Sequence, residues 1–302
     1  MIMSKHNVEV SIVKAFTSGD VGGNPAGVVL DADDLSSADK QAVAARVGLP
    51  ETAFVSKSDV ADFKLEFFTP VRQIAHCGHA TIATFSLLVQ RGRLSSRSSS
   101  KETIDGTRRI VLDGEQVFME QAAPKYTSLR RTSVAEEEVL ASLGLEPSQL
   151  IRGHRPVVVN TGNSFLLVPV ETDATLASVT PDFAAIERIS DALDLIGYYA
   201  FTRDVRSPVH DVAARMFAPR YGILEEAATG MAAGPLAAYL YDIMNVKQDV
   251  LLVAQGLHMA APSPSTLEVR VEARDGQVVG LMAGGYAQEA EVRSVELPVP
   301  TA

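Results

Sequence analysis

Apolar and polar residues alternate along the early part of the chain in the way that β-strands require. Residues 8–16 (VEVSIVKAF) alternate with a period of two, and the apolar run AGVVLDA follows a turn-rich segment at residues 18–25. The string ETAFV, which starts at Glu51, and residues 63–68 have the composition of two further strands. The pattern therefore predicts at least four strands in this part of the chain.

Two segments among these strands have helical spacing. Residues 36–47 predict a helix in which Ser36 or Ser37 is the N-cap and Gly48 ends the helix. Residues 80–90 predict a second helix, which begins directly after Cys77-Gly78-His79.

The segment at residues 91–109 is polar and carries many basic side chains. It could be a basic contact loop or a solvated excursion or hairpin. We favour the solvated segment, because the segment has no aromatic residues and the whole protein is acidic.

A weak internal repeat predicts two related halves. A Gly-Asn pair before a short apolar run occurs at residues 23–24 and again at residues 162–163. A Phe-x-Pro string that precedes a helix start occurs at residues 68–70 and again at residues 217–219. Two occurrences in matching order are typical of a diverged duplication rather than of a solenoid. The predicted halves are residues 1–120 and residues 121–302.

Composition excludes several classes of protein. The 302 residues are 46% apolar and 21% charged, which favours a packed globular chain over a disordered one. The formal charge of -10 disfavours binding to nucleic acid and to anionic membranes, because both depend on Lys and Arg. The first ten residues lack the pattern of a signal peptide, and no apolar run approaches the roughly 20 residues of a membrane span. A single cysteine, Cys77, rules out an internal disulfide, so we expect a cytoplasmic protein that contacts neither membrane nor nucleic acid.

The two predicted helix starts, Gly78-His79-Ala80-Thr81 and Thr229-Gly230-Met231-Ala232, are rich in small residues. The first turn of a helix leaves backbone N–H groups without intrahelical partners, and the helix dipole is positive there, so a carboxylate can bind. Small residues also permit close helix packing, and this structural interpretation stays open. If the halves pack face to face, both helix starts flank one cleft. The candidate substrate-binding residues are Gly78, Ala80, Glu226, Thr229, Gly230 and Met231.

Glu51 and His79 are the candidate catalytic residues. A glutamate at the head of a strand is usually solvated, but in an apolar cleft the pKa of its carboxyl group rises towards neutrality and the group can accept and return a proton. His79 could orient Glu51 or the substrate, act as an acid/base partner, or be structural; we favour the orienting role. Cys77 could be an activated thiolate or a packed apolar residue. The spacing His76-x-x-His79 is poor for metal binding, so no metal is expected.

Six strings resemble the signatures of the PhzF-like phenazine-biosynthesis family, and they occur in the family's order. They are GNPAGVVL, ETAFV, FFTP, CGHATIA, RMFAPRYGILEEAATGMAAGPLAAYL and QGLHMAAPS. The resemblance implies an α+β fold like that of diaminopimelate epimerase. In this fold two pseudo-symmetric domains each wrap a mixed sheet around a central helix, and the active site lies at their interface. It also implies a cofactor-free homodimer that isomerises a small carboxylate-bearing substrate, in which Glu51 is the acid/base and His79 its neighbour.

Three positions depart from the family pattern: Glu226 replaces an aspartate, Met231 replaces a serine, and Ala260-Ala261-Pro262-Ser263 lacks the usual arginine. The substrate therefore stays open. Two alternative functions remain. One is a cofactor-free racemase, epimerase or dehydratase that uses Cys77, and the other is a small-acid binding protein without turnover.

Overall fold

The computed structural model describes residues 5–298, and its contacts divide the chain into two compact units. The first unit comprises the residues up to Asp20, Asn24–Met119, and the residues from Gly285 onward. The second comprises Val21–Gly23 and Glu120–Gly284. Residues 1–4 and 299–302, which the predicted halves include, lie outside the described residues.

A mixed sheet and two helices form the first unit. The strands are β1 (Lys5–Ala15), β2 (Asn24–Val29), β3 (Thr52–Ser56), β4 (Phe63–Phe68), β5 (Gln73–Ile74), β6 (Ser98–Thr103), β7 (Gly106–Asp113), β8 (Gln116–Gln121, which ends just past the boundary) and β18 (Ala287–Pro298). Helix α1 is Ser37–Val47 and α2 is Gly78–Gln90. Parallel pairing joins β2 to β3 and β4 to β6, whereas β18–β1, β1–β2, β3–β4, β6–β7 and β7–β8 are antiparallel.

The residues that begin and end α1 in the structure are the capping residues that the sequence predicts. Ser36 is the N-cap of α1 and accepts a hydrogen bond from the backbone N–H of Asp39, while Gly48 ends the helix with a φ of 69°. Helix α2 is buried continuously from Gly78 to Leu88 and contacts β1, β2, β3 and β18. A helix that is apolar on all sides is stable in water only when it is enclosed. α2 is therefore the central helix of the first unit.

The second unit also combines a mixed sheet with a buried helix. Its strands are β9 (Lys125–Ser128), β10 (Val157–Asn160), β11 (Ser164–Pro169), β12 (Gly197–Thr202), β13 (Val212–Ala218), β14 (Ile223–Glu226), β15 (Val250–Gln255), β16 (Ser265–Arg274) and β17 (Gln277–Gly285). Its helices are α3 (Glu136–Ala141), α4 (Asp173–Ser178), α5 (Phe183–Leu193) and α6 (Gly230–Ala238), and α6 continues as a π-helical turn at Tyr239–Ile243. Helix α6 packs on β10, β11 and β16.

The strand pairing repeats between the units. In the first unit the series β1 to β4, then β6 and β7, pairs as antiparallel, parallel, antiparallel, parallel and antiparallel. In the second unit β10 to β13, then β15 and β16, pairs in the same sequence of directions. The central helices α2 and α6 occupy equivalent places, each before the strand that pairs in parallel with the fourth member of the series. The repeat in the sequence thus corresponds to a repeat in topology.

Two features differ from the sequence-based expectations. The predicted second half extends to residue 302, but β18 pairs with β1 from Ala15↔Ala287 to Lys5↔Pro298 and so lies in the first unit. The polar segment at residues 91–109 contains β6 and the start of β7, which pair as an antiparallel hairpin. The segment is not solvated throughout, because Lys101 in β6 is fully buried. The side chains of β6 alternate between exposure and burial, and Lys101 lies on the buried face.

No helix within residues 5–298 combines the length and the apolar character that crossing a bilayer requires.

Candidate active site

Glu51 lies immediately before β3, at the point where the chain enters the sheet. Its backbone carbonyl accepts a hydrogen bond from the N–H of Gly27 at 3.0 Å, which ties it to β2. A side chain at position 27 would come within 2.8 Å of the Thr52 hydroxyl, so glycine permits this close approach of the two parallel strands. The Glu51 residue is only 4% exposed. Burial of this acid departs from the usual solvated place of a glutamate.

The start of α2 brings two further side chains to Glu51. Cys77 is the N-cap residue of the helix, and His79 lies in its first turn. The His79 Nε2 atom is 3.3 Å from Glu51 Oε2, and the His79 Nδ1 atom is 3.5 Å from the Cys77 sulfur. All three side chains are buried. We call Glu51, His79 and Cys77 the acid cluster.

The two nitrogens of His79 face different partners. A neutral imidazole has one N–H donor and one acceptor nitrogen. When Glu51 is ionised, Nε2–H can donate to it while Nδ1 accepts from the Cys77 thiol. When Glu51 is protonated, its O–H can donate to Nε2 while Nδ1–H faces the sulfur. A change of His79 tautomer can therefore complement both protonation states of Glu51.

Burial raises the pKa of the Cys77 thiol, and the lowering effect of nearby His79 does not overcome this. The thiol is therefore kept protonated, unlike the low-pKa cysteines that act as nucleophiles. The helix N-terminus alone does not activate Cys77.

The acid cluster also differs from the arrangement on which the expectation of no metal was based. That expectation considered His76 with His79, but the structure instead brings donor atoms of Glu51, Cys77 and His79 within 4.8 Å of one another. These are atom types that bind zinc. His79 directs opposite ring nitrogens at its two neighbours, and the absence of a metal stays a prediction.

The start of α6 carries a second polar cluster, which belongs to the second unit. The Thr229 hydroxyl donates to the Glu226 carboxylate. The side-chain oxygen of Gln255 accepts from the Thr229 N–H at 3.1 Å, and its amide nitrogen donates to the Glu226 carbonyl at 2.8 Å. The hydroxyl of Tyr199, which is fully buried, donates to the same Gln255 oxygen at 2.8 Å. We call Glu226, Thr229 and Gln255 the amide cluster.

Gln255 is the residue of the amide cluster that the sequence did not single out. It lies at the end of β15 and is 1% exposed. Gly256 follows it with a φ of 79°, and a side chain there would lie 2.2 Å from the Ser263 carbonyl oxygen. Two local signals marked this position: a polar residue stands between an apolar strand and a glycine, and Gln255 opens the family-like string QGLHMAAPS.

The remaining residues of the second helix start have separate neighbours. Met231 is half-buried, with its sulfur 3.6 Å from the Asn163 side-chain nitrogen. The carbonyl of Gly230 accepts from the Gln121 side chain at 2.8 Å. Glu225, the other acid near this helix start, forms a partly buried ion pair with Arg215 at 2.8 Å instead of joining the amide cluster.

The structure therefore gathers the sequence candidates into one group in each unit. Glu51 and His79 contact each other, and Gly78 and Ala80 are buried at the start of α2. Glu226, Thr229, Gly230 and Met231 lie at the start of α6. Their roles in binding and catalysis stay predictions, as does the cleft that was expected between the helix starts.

Comparison with known proteins connects these groups to a family. The family model PhzC-PhzF, "Phenazine biosynthesis-like protein", matches residues 13–287. The chain belongs to this family. The PhzC-PhzF match includes Glu51, the start of α2 and the start of α6, so both clusters lie within the part that the family shares.

Several relatives of this PhzC-PhzF chain bear isomerase names. It is 30% identical over 285 residues to the "Uncharacterized isomerase YddE" of Escherichia coli (strain K12), covering 92% of this chain and 95% of the relative. It is 31% identical over 283 residues to the "Trans-2,3-dihydro-3-hydroxyanthranilate isomerase" of Pseudomonas chlororaphis, covering 91% of this chain and 94% of that enzyme.

Solved structures support the same fold. The crystal structure of the Bacillus anthracis phenazine biosynthesis protein, PhzF family, has a TM-score of 0.86 and 27% identity, covering 96% of this chain and 99% of that one. A hydroxyproline epimerase from Agrobacterium vitis, at 14% identity, has a TM-score of 0.61 and covers 99% of this chain and 95% of that one. The second likeness concerns the fold alone. The fold is the mixed-sheet α+β fold of PhzF proteins and of epimerases related to them in structure.

Proposed function

We propose that this protein is a cofactor-independent isomerase that moves a proton on a small carboxylate-bearing substrate, with Glu51 as the acid/base. The observation that carries the proposal is the buried contact between Glu51 Oε2 and His79 Nε2 at 3.3 Å. The isomerase names of its relatives support the reaction class.

An isomerisation of this kind removes a proton from one carbon and delivers a proton to another. One group can perform both steps if it is stable in both protonation states and is sheltered from exchange with bulk water. The burial of Glu51 supplies the shelter, and His79 Nε2, which lies 3.3 Å from Glu51 Oε2, supplies a polar neighbour for either state. General acid–base catalysis of this kind contributes typically about 10² to 10⁴ in rate.

Substrate binding is proposed for the helix starts. The backbone N–H groups of the first turn attract a carboxylate, which supports roles for Gly78 and Ala80 in α2 and for Gly230 in α6. Glu226, Thr229 and Met231 are proposed to set which substrate is accepted. Because Glu226 and Met231 depart from the family pattern, the substrate is proposed only as a small carboxylate.

The test is solvent deuterium incorporation into trans-2,3-dihydro-3-hydroxyanthranilate and into a panel of small cyclic carboxylates. Glu51→Gln keeps the shape of the side chain but cannot carry the proton. We expect at least about a hundredfold loss of exchange in this variant, with ligand binding retained. Glu66→Gln is the matched control, because Glu66 is another acid of the first unit, which is partly buried and pairs with Lys40. Equal exchange in Glu51→Gln and the parent protein would refute the role of Glu51.

One observation favours a second candidate, a racemase, epimerase or dehydratase that uses Cys77. The thiol lies 3.5 Å from His79 Nδ1, within reach of a base. The raised pKa of Cys77 argues against a thiolate, and the described start of α6 offers Thr229 where a second thiol is needed. A Cys77→Ser variant that loses exchange, beside a Glu51→Gln variant that keeps it, would favour this candidate. Ligand binding without exchange in the parent protein would indicate a binding protein.

The proposal also includes a homodimer in the cytoplasm that does not bind nucleic acid. The single cysteine and the net charge of -10 support the location and the lack of nucleic-acid binding. Light scattering during size-exclusion chromatography tests the dimer.

A further inference from the structure

A lysine is buried beneath the start of α2. Lys101, on the inward face of β6, is 0% exposed. Its Nζ atom lies 2.6 Å from the Thr81 hydroxyl, 3.3 Å from His76 Nδ1 and 5.2 Å from the centroid of the Phe67 ring. Lysine is almost never fully buried unless it is paired, because taking its charge out of water is costly. A residue kept in this place at such a cost calls for a physical explanation.

The hydrogen bonds of Thr81 connect Lys101 to the acid cluster. The Thr81 hydroxyl lies 2.6 Å from the Cys77 carbonyl oxygen, which can only accept, so the hydroxyl hydrogen is directed there. The same hydroxyl must then accept its other hydrogen bond from Lys101 Nζ. The direction of the chain is therefore fixed: Lys101 donates to Thr81, and Thr81 donates to Cys77.

The Cys77 carbonyl is the point at which this chain can influence the acid cluster. Cys77 is the N-cap of α2, and its carbonyl also accepts from the Thr81 N–H at 3.3 Å. The orientation of this peptide sets the path of Cys77, Gly78 and His79. The His79 ring must keep both of its nitrogens in place, towards Glu51 and towards Cys77.

We propose that Lys101 is a positioning residue, whose buried amine acts through the Thr81 hydroxyl on the Cys77 carbonyl and so holds His79 against Glu51. This inference rests on the proposed function of Glu51. It assigns a role to a side chain outside the acid cluster, on a strand that supplies none of its members.

The same helix contains a matched control. Thr84 is fully buried, and its hydroxyl donates to the Ala80 carbonyl at 2.7 Å, in the same geometry three residues after Thr81. Lys101 donates to Thr81. Thr84→Val therefore removes the same kind of bond within α2 without breaking the chain from Lys101.

The experiment compares Lys101→Met, Thr81→Val, their double variant, Thr81→Ser and Thr84→Val in the full chain. The first readout is the ¹⁵N NMR signal of the His79 ring in histidine-labelled protein, assigned with a His79→Gln variant. The second is kcat and KM for deuterium exchange into trans-2,3-dihydro-3-hydroxyanthranilate. Circular dichroism checks the folding of each variant.

We expect Lys101→Met and Thr81→Val each to move the His79 ring signals and to lower kcat about tenfold with little change in KM, as expected for one weakened buried hydrogen bond. The double variant should be no worse than the worse single variant, because residues in one chain are not additive. Thr81→Ser, which keeps the hydroxyl, should restore the parent behaviour, and Thr84→Val should match the parent within about twofold.

The proposal is overturned if folded Lys101→Met leaves the His79 signals unchanged, if Thr84→Val behaves as Thr81→Val does, or if the single effects multiply in the double variant. Should Lys101→Met fail to fold, the comparison of Thr81→Val with Thr81→Ser and Thr84→Val decides the question. Failure of the proposed function is distinguishable, because it is measured by Glu51→Gln, whereas the NMR readout needs no turnover.

Discussion

Replacing Lys101 with methionine is expected to change how the stability of the protein depends on pH. Burial lowers the pKa of Lys101 from 10.5 to about 7; nearby Cys77 and Asp105 oppose this shift, whereas Arg108 adds to it. The folded protein therefore releases the lysine proton near pH 7, whereas the unfolded chain holds it up to about pH 10.5. Between these pH values the unfolded state binds more protons, so the free energy of unfolding rises with pH.

The size of the effect follows from the pKa difference. At about 1.4 kcal/mol per pKa unit, the charged form of Lys101 costs the folded state about 5 kcal/mol. This penalty is fully present well below pH 7, is about 4 kcal/mol at pH 7 and falls to about 2 kcal/mol at pH 9. The parent protein should therefore gain about 2 kcal/mol relative to Lys101→Met between pH 7 and pH 9.

Urea unfolding of both proteins at several values of pH measures this difference. The pKa of neighbouring His76 is lowered well below its usual value, chiefly by burial, so its titration falls below the window. Cys77 titrates within the window in the unfolded chain, but it does so in both proteins and cancels in the difference. Thr84→Val changes no titratable group and should differ from the parent by a constant amount. A constant difference between the parent and Lys101→Met from pH 7 to pH 9 would refute the reasoning.

Two further predictions concern the residues at the helix starts. Gln255→Leu should lower the free energy of unfolding by about 2 to 5 kcal/mol, because it leaves the Tyr199 hydroxyl and the Thr229 N–H without their buried partner. Urea titration measures this loss beside that of Gln41→Leu, since Gln41 is a half-buried glutamine that donates to one carbonyl, and equal losses in the two variants would contradict the prediction. Cys77 should react with iodoacetamide at least about tenfold more slowly in the folded protein than in denaturant at the same pH, because burial both blocks access to the thiol and raises its pKa. Mass spectrometry of the quenched samples follows the reaction, and comparable rates would show that the thiol is accessible.

The local elements of the fold could be predicted from the sequence where a distinct physical signal marked them. Ser36 and Gly48 bound α1 as the capping pattern indicated, and β4 has the predicted bounds of Phe63–Phe68. The repeat of Gly-Asn and Phe-x-Pro strings corresponds to equivalent strands in the two units. These signals are short-range, so a single sequence carries them in full.

Long-range pairing carried no such signal. Strand β18 alternates as any strand of the second unit does, and nothing local distinguishes pairing with β1 from pairing with a nearer strand. The burial of Lys101 was hidden for a related reason. Both faces of β6 are polar, and the side chains of Ser99, Lys101 and Thr103 are buried on one of them. A pattern of apolar and polar residues cannot identify the buried face of a strand that has no apolar face.

The sequence identified most residues of the candidate site, but it did not predict which of their side chains contact each other. Glu51 and His79 are separated by 27 residues, and only the packing of α2 on β2 and β3 brings their side chains to 3.3 Å. Cys77 was considered as a nucleophile or as packing, whereas its sulfur lies 3.5 Å from His79 Nδ1, which makes it a third member of the acid cluster. Gln255 had no assigned role, because its partners Thr229 and Tyr199 come from distant parts of the chain.

The two helix starts occupy equivalent places in the repeat, yet their side chains support different chemistry. At α2 the buried groups are a carboxylate, an imidazole and a thiol, each of which can gain or lose a proton. At α6 the Glu226 carboxylate is bound by a hydroxyl, and an amide that cannot titrate joins Thr229 to Tyr199. If each helix start carried its own catalytic acid, both helix starts would need the same titratable groups. Because of this divergence, the groups at α2 can exchange protons, as the proposed role of Glu51 requires, whereas Thr229 and Gln255 at α6 offer hydrogen-bonding groups that do not titrate.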